Sequence, residues 1–405
     1  MGSTRKNSSN PESGGVQALV GSGADVRLRG FSCPQEGLDE AFLTCLASEY
    51  ARSVTRLLLD AYAQPLAAHT TGLAELLREW SDVSRPPHAA WDSSFGDAFS
   101  LLQASIPEKV VSVVARIGLH LGARGLPGTW TAALGRSVPL RWGPYLLSPG
   151  AENLAVDSDG DVAEIRISDG RAERTIRLTS GEDDWKADGA ELLPRFGPQR
   201  AVVLHKNQLA LNGFDELVEA SVDSIEPQAI ATLERAMGII ANHAPAYLPW
   251  VERVVHETFL IRPQVKHIQS GSIAKYFGLV HVSATSNATA IAELLVHEAS
   301  HQYFHLLTLL DPFDDGSDGN LYYSPAVRKE RSLARIGVAY HAFANILLMY
   351  DACLASNIDD DGYCDRGRVK LAPEVDQLEA PLRGNAAMTA VGRALCEPLI
   401  ERLHH

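Results

Sequence analysis

Cysteine is sparse in this chain, positive charge is in deficit and long apolar runs are missing. Five cysteines, Cys33, Cys45, Cys353, Cys364 and Cys396, are scattered over 405 residues with no CxxC pair. An odd number at wide spacing speaks against a disulfide framework and for free thiols in a reducing compartment. Lysine and arginine number 36 against 50 acidic residues, for a net charge of −14. That balance argues against phosphate backbones as the main partner, so no nucleic acid is expected. No apolar run reads as a bilayer span, so no membrane is expected either. The opening MGSTRKNSSNPESGG has cations but no apolar segment behind them, unlike a secretory signal. Position six lacks the Ser or Thr of a myristoylation site. A cytoplasmic protein is the expectation, with residues 1–25 a disordered lead rich in Ser, Gly and Asn.

What is present suits a folded chain. Hydrophobic residues make up 45% and charged residues 21%, enough for a sizeable core in two domains or one large one. Apolar residues from Phe42 to Tyr62 recur at three- and four-residue spacing, which predicts a helix over 38–62. Further helices are expected over 68–82, 94–104, 109–122, 227–243, 327–355 and 386–403. Trp130, Trp142 and Pro144 fall in a looser stretch. Alternation on either side of Asp169-Gly170 predicts a β-hairpin over 162–178. Short strands are expected at 201–204 and 277–283. The expected fold class is α+β and predominantly helical, with a small β-hairpin or sheet region and a metal-binding helix pair in the C-terminal half. The expected division is a helical region with the hairpin over 26–220 and a catalytic region over 221–405.

The chemistry concentrates in IAELLVHEASHQYFHLLTLL, residues 291–310. Ser286 or Asn287 can cap this helix. His297 and His301 are four residues apart, so they rise on one helical face and can take adjacent positions on one metal ion. Glu298 beside them can act on a metal-bound water. Two histidines hold a catalytic metal poorly, and a third protein ligand is expected. His341, inside the apolar pattern of the next long helix, is preferred to Glu330, which stands in the charged run RKERSLAR. His305 lies one turn further along but rotated away. Arg328, Arg331 and Arg335 can clamp a carboxylate through the guanidinium fork. Asn357, Asp359, Asp361 and Asp365 partly match a calcium loop but lack its closing Glu, which marks them as a polar loop. Asp157, Asp159 and Asp161 read as a turn into the hairpin.

The succession GLVHVSA, LLVHEASHQ and YYSPAVRKERSL, followed by a helix with an embedded histidine, resembles the HExxH-type peptide-modification proteins found near ribosomally made natural-product peptides. FSCPQEGLDEAFLTCLASEY and MTAVGRALCEPLIERL extend the likeness to both ends, though it is strongest over residues 277–350. The resemblance implies an Fe(II)- and 2-oxoglutarate-dependent peptide β-hydroxylase acting on a ribosomally synthesised precursor peptide. It implies His297 and His301 as metal ligands, Glu298 as the acid, and Ser324, Pro325 and Arg328 as the counterpart of a Ser-Pro-x-Arg-like element, here with two residues between Pro325 and Arg328. The family's last histidine commonly follows a leucine pair, whereas His341 follows Ala339-Tyr340. Arg328 and Arg331 are the expected partners of the cosubstrate's distal carboxylate. The alternative is a zinc metallopeptidase with Zn(II) and Glu298 as general base.

Overall fold

The computed structural model describes residues 24–82, 90–104, 106–181, 184–209, 211, 214–263, 269–356 and 362–404. The chain opens with a helical layer: α1 (Ala24–Arg29), α2 (Glu40–Ala61), α3 (Ala63–His69), the two-residue β1 (Thr70–Thr71), α4 (Leu73–Asp82), α5 (Ser93–Ala104) and α6 (Val110–Ala123). Helix α2 starts where Asp39 accepts from the Phe42 amide at 3.0 Å and buries Phe42, Leu46, Tyr50, Val54 and Leu58 along one face. The helix expected over 68–82 is broken at Gly72, whose φ of 75° is left-handed. There the chain turns, pairing Thr70 and Thr71 with the next strand.

An antiparallel sheet of seven strands follows, ordered β1 to β6, with β7 beside β3. Its strands are β2 (Gly128–Trp142), β3 (Tyr145–Ser158), β4 (Val162–Ser168), β5 (Glu173–Ser180), β6 (Trp185–Asp188) and β7 (Glu191–Leu192). The β4–β5 pair turns at Asp169-Gly170, where Asp169 Oδ1 accepts from the Arg171 and Ala172 amides. Strands β2 and β3 occupy the stretch expected to be loose. Gly135 and Pro139 obscure the alternation of β2, and the ladder absorbs them through register shifts between Ala133 and Arg141.

The remainder of the chain contains β8 (Arg195–Phe196), β9 (Ala201–Leu204), α7 (Asp215–Ala220), α8 (Pro227–His243), α9 (Tyr247–Glu252), β10 (Val255–Ile261), β11 (Ser270–Ser272), β12 (Gly278–Ser283), α10 (Ala288–Leu307), β13 (Tyr322–Ser324), β14 (Lys329–Arg331), α11 (Leu333–Ala355), α12 (Tyr363–Glu379) and α13 (Ala390–Leu403). A five-stranded sheet runs β11-β12-β10-β9-β8. Its centre, β9, β10 and β12, is parallel, and both edges are antiparallel. Period-two alternation sends Val203, Leu260, Val280 and Val282 into the main core. Leu204, Phe259, Ile261 and Leu279 face a second cluster on the other side.

The expectation of a predominantly helical chain with a small hairpin region is therefore corrected. Helix takes 51% and strand 23%, and the described residues form three sheets. Tyr322–Ser324 and Lys329–Arg331 form a hairpin where helix was expected from 327, and α12 lies between the two expected C-terminal helices. The main core is continuous from Leu28 to Leu399. Helix α11 is long and apolar enough to cross a membrane by length and composition. Here it packs against α10, α12 and α13. The expected polar loop at 357–361 lies outside the described residues, as does the lead before residue 24.

Candidate active site

Helix α10 begins where Asn287 Oδ1 accepts from the Ala290 amide at 3.0 Å, a cap that contributes about 1 kcal/mol. Ile291, Leu295, Ala299 and Leu306 are buried, each larger side chain contributing roughly 1.5–3 kcal/mol on burial. Gln302 stitches the helix to the five-stranded sheet: its Oε1 accepts from Gly278 N at 3.1 Å and its Nε2 donates to Leu279 O at 3.2 Å. Gly278 has φ 91° and lies against Trp91, where a Cβ would come within 3.1 Å of the Trp91 Cα. A side chain at this position would press on the Trp91 backbone, just before α5, and move it off the sheet.

Glu293, His297, His301 and His305 follow at four-residue steps along α10, and α11 runs antiparallel beside that row. Tyr350 and Tyr363 both donate to Glu293 Oε2. Phe343 packs 6.0 Å from His297, ring centre to ring centre. Arg335 acts electrostatically on His305. At the middle of the row, His297 Nε2 and His301 Nε2 are 3.0 Å apart. Burial pushes the His297 imidazole down to about 4 and takes His301 well below its ordinary value, with His297 adding to the latter. Both are therefore neutral at physiological pH, the form that binds metals. The His297 side chain keeps 21% of its surface, which leaves an approach to the pair from outside.

Glu298 faces the other flank, toward edge strand β11. Ser270 Oγ donates to its Oε1 at 2.5 Å, and Oε1 stands 3.8 Å from His297 Nε2. Its Oε2 has no hydrogen-bond partner among the described residues. Burial raises the Glu298 carboxyl to about 7, against the opposing pull of Ser270 and Ser272. A carboxyl poised at neutrality beside two imidazoles can exchange a proton at working pH.

The other expected residues are placed elsewhere. His341 is fully buried, donates from Nε2 to Phe31 O at 2.9 Å and packs against Phe304. Phe343, two helical residues on, faces His297 instead, and His341 stays within electrostatic reach of His301 and His305. Among the described residues, no group of three or more His, Cys, Asp or Glu side chains gathers as a metal site would. The expected metal-binding helix pair is thus corrected: among the described residues it does not gather as a metal-binding group, and His297 and His301 face each other on one helix. Glu330 is exposed on β14. Arg328, with φ 53°, and Arg331 are exposed on the β13–β14 hairpin. His305 sits in the row, 6.3 Å from His301 between ring centres. Ser270 and Phe343 escaped the sequence reading, because only the tertiary fold brings them to α10.

The pair fits a metal ion in two positions. Nitrogens about 2.1 Å from one ion lie about 3.0 Å apart when cis at a right angle and about 3.4 Å apart at a tetrahedral angle. At the observed 3.0 Å the two rings share a hydrogen bond, and the spacing is within reach of either arrangement. No protein-family model matches the chain, and a search of the curated proteins finds no match.

Proposed function

We propose that the chain is an Fe(II)- and 2-oxoglutarate-dependent oxygenase that hydroxylates a side-chain β-carbon of a ribosomally synthesised precursor peptide. The observation that carries the reading is the convergence of His297 Nε2 and His301 Nε2 at 3.0 Å beside buried Glu298. It is supported by the likeness of the motifs at 277–350 to the HExxH peptide-modification proteins. His297 and His301 would hold the iron. With 2-oxoglutarate and O₂, iron supplies C–H hydroxylation: one oxygen atom enters the substrate, the other enters succinate, and CO₂ leaves.

The chain's own residues do the rest. Phe343 and the buried face of α10 keep water from one side of the pair. Ser270 orients Glu298, leaving Oε2 to hold or release a proton near neutral pH. A second reading, a zinc peptidase, is favoured by the same carboxyl: at about 7, Glu298 can take a proton from an attacking water.

Anaerobic loading with Fe(II) and 2-oxoglutarate, followed by admission of O₂, decides between them. Succinate should form, more of it with the cognate peptide, and His297→Ala or His301→Ala should abolish it. Absence of succinate together with peptide cleavage by the zinc-loaded protein would establish the hydrolase instead.

A further inference from the structure

Away from the histidine row, a polar cavity lies where the helical layer meets both sheets. Among the described residues, six polar side chains line it: Asp92 and Ser93 at the start of α5, Arg116 and His120 on α6, Arg141 on β2, and Gln208 in the single turn Lys206–Gln208 after β9. None of the lining residues belongs to α10 or α11. Arg116 and His120 are four residues apart, so α6 presents both on one face. His120 keeps 8% of its surface and Gln208 4%.

The lining is rich in hydrogen-bond donors and poor in acceptors. Asp92 is its one carboxylate among the described residues, and its oxygens are engaged. Oδ2 lies 3.3 Å from His120 Nδ1 and 3.6 Å from Arg141 Nη2, and Oδ1 accepts from the Ser94 amide at 2.8 Å. The carboxylates paired with the guanidinium groups, Asp97 with Arg116 and Glu257 with Arg141, stand outside the lining. A guanidinium carries five N–H donors, more than one carboxylate takes up. Gln208 supplies the deciding observation. Its Oε1 accepts from the His205 amide at 3.1 Å, while its buried Nε2 has no hydrogen-bond partner among the described residues. A buried amide donor without an acceptor is costly, so an acceptor belongs in the cavity. The cavity, about 20 Å³ measured at atom centres, holds one compact group. An anion is the acceptor that also complements the two guanidinium groups. A chain of net charge −14 repels anions at long range, so holding one requires such donors at short range.

We propose that this cavity binds a compact inorganic anion, either a halide such as chloride or a single oxyanion such as phosphate. Gln208 Nε2 and the guanidinium groups of Arg116 and Arg141 donate to it. Bound there, the anion joins α6, β2 and the turn after β9, and it stabilises the native chain by mass action.

The test is calorimetric titration of the full chain in gluconate buffer, with sodium chloride and with sodium phosphate in separate runs. Wild type should bind at least one of them saturably at millimolar concentration, and the same anion should raise the melting temperature. Gln208→Glu keeps an oxygen for the His205 amide and sets a negative oxygen where the donor was, so binding should fall tenfold or more. Gln208→Met removes the donor without adding charge and should also weaken binding, which keeps the test decisive if the glutamate variant does not fold. Lys206→Met alters a neighbouring cation outside the lining; it should bind as wild type, which separates the site from a general salt effect. The anion that binds more tightly identifies the guest. The site is overturned if neither anion binds saturably, which leaves only water in the cavity. It is overturned equally if the folded Gln208 variants bind like wild type, or if Lys206→Met weakens binding as much as they do.

Discussion

Glu298 shows how a single side chain acquires a working pKa. It is buried, takes one hydrogen bond from Ser270, and keeps a second oxygen without a partner. Burial then outweighs hydrogen bonding and lifts the carboxyl to about 7. Asp318, in the loop after α10, is the opposite case. Its carboxylate accepts from Asn385 Nδ2 at 2.9 Å, from the Asn320 amide at 3.0 Å and from the Tyr322 hydroxyl at 2.8 Å. With Asn385 the largest influence, its pKa falls from 3.8 to about 2. A depressed carboxyl stabilises the fold above its unfolded pKa, and that contribution is lost as pH falls through the folded value. Asp318→Asn should therefore melt below wild type at pH 7, and the difference should vanish as the pH is lowered toward 2. Melting curves across that range check it; a constant difference would show that the charge has no part.

At the level of elements, the contact between α10 and α11 decides which side chains face the histidine pair. Antiparallel packing puts Tyr350 at Glu293 and Phe343 at His297, while His341 anchors the segment around Phe31. Asn345 adds a second anchor, donating to Ser32 O at 2.9 Å. Replacing His341 with Leu leaves the Phe31 carbonyl without its donor, a loss of about 1–3 kcal/mol. Denaturant unfolding should show that loss, and elemental analysis should find as much bound metal as in wild type. Metal lost along with His341 would instead place that side chain in the centre.

At the scale of the molecule, buried charges join the layers. Arg141 on β2 pairs with Glu257 on β10 and lies 3.6 Å from Asp92. Asp92 in turn lies 3.3 Å from His120 on α6 and caps α5 through the Ser94 amide at 2.8 Å. Glu257 Oε2 accepts from Ser93 N at 3.2 Å. Burial opposes ionisation of Asp92, yet His120 and Arg141 hold it below the usual carboxylate range. Both sheets and the helical layer thus meet in one network. Arg141→Met would strand two buried carboxylates, and stability should fall by about 3–5 kcal/mol. Lys206→Met, which breaks the surface pair with Glu219, should cost no more than about 1 kcal/mol. Urea unfolding of the two variants separates a structural brace from ordinary surface charge.

Local pattern was enough for the elements whose signal is contiguous. Residues 227–243, the β4–β5 hairpin around Asp169-Gly170, strand β12, the Asn287 cap and the i, i+4 placement of His297 and His301 were all legible, because periodicity and capping act within a few residues. The long β2–β3 pair was not, because Gly135, Pro139 and the shifted register make sense only opposite a partner strand. Helix α12 was likewise passed over. The fate of His341 depended on the rotational register of α11 against α10, which no spacing along one helix specifies. The same holds for Ser270. Its contact with Glu298 comes from the edge strand β11, so only long-range packing could bring it to the histidine row.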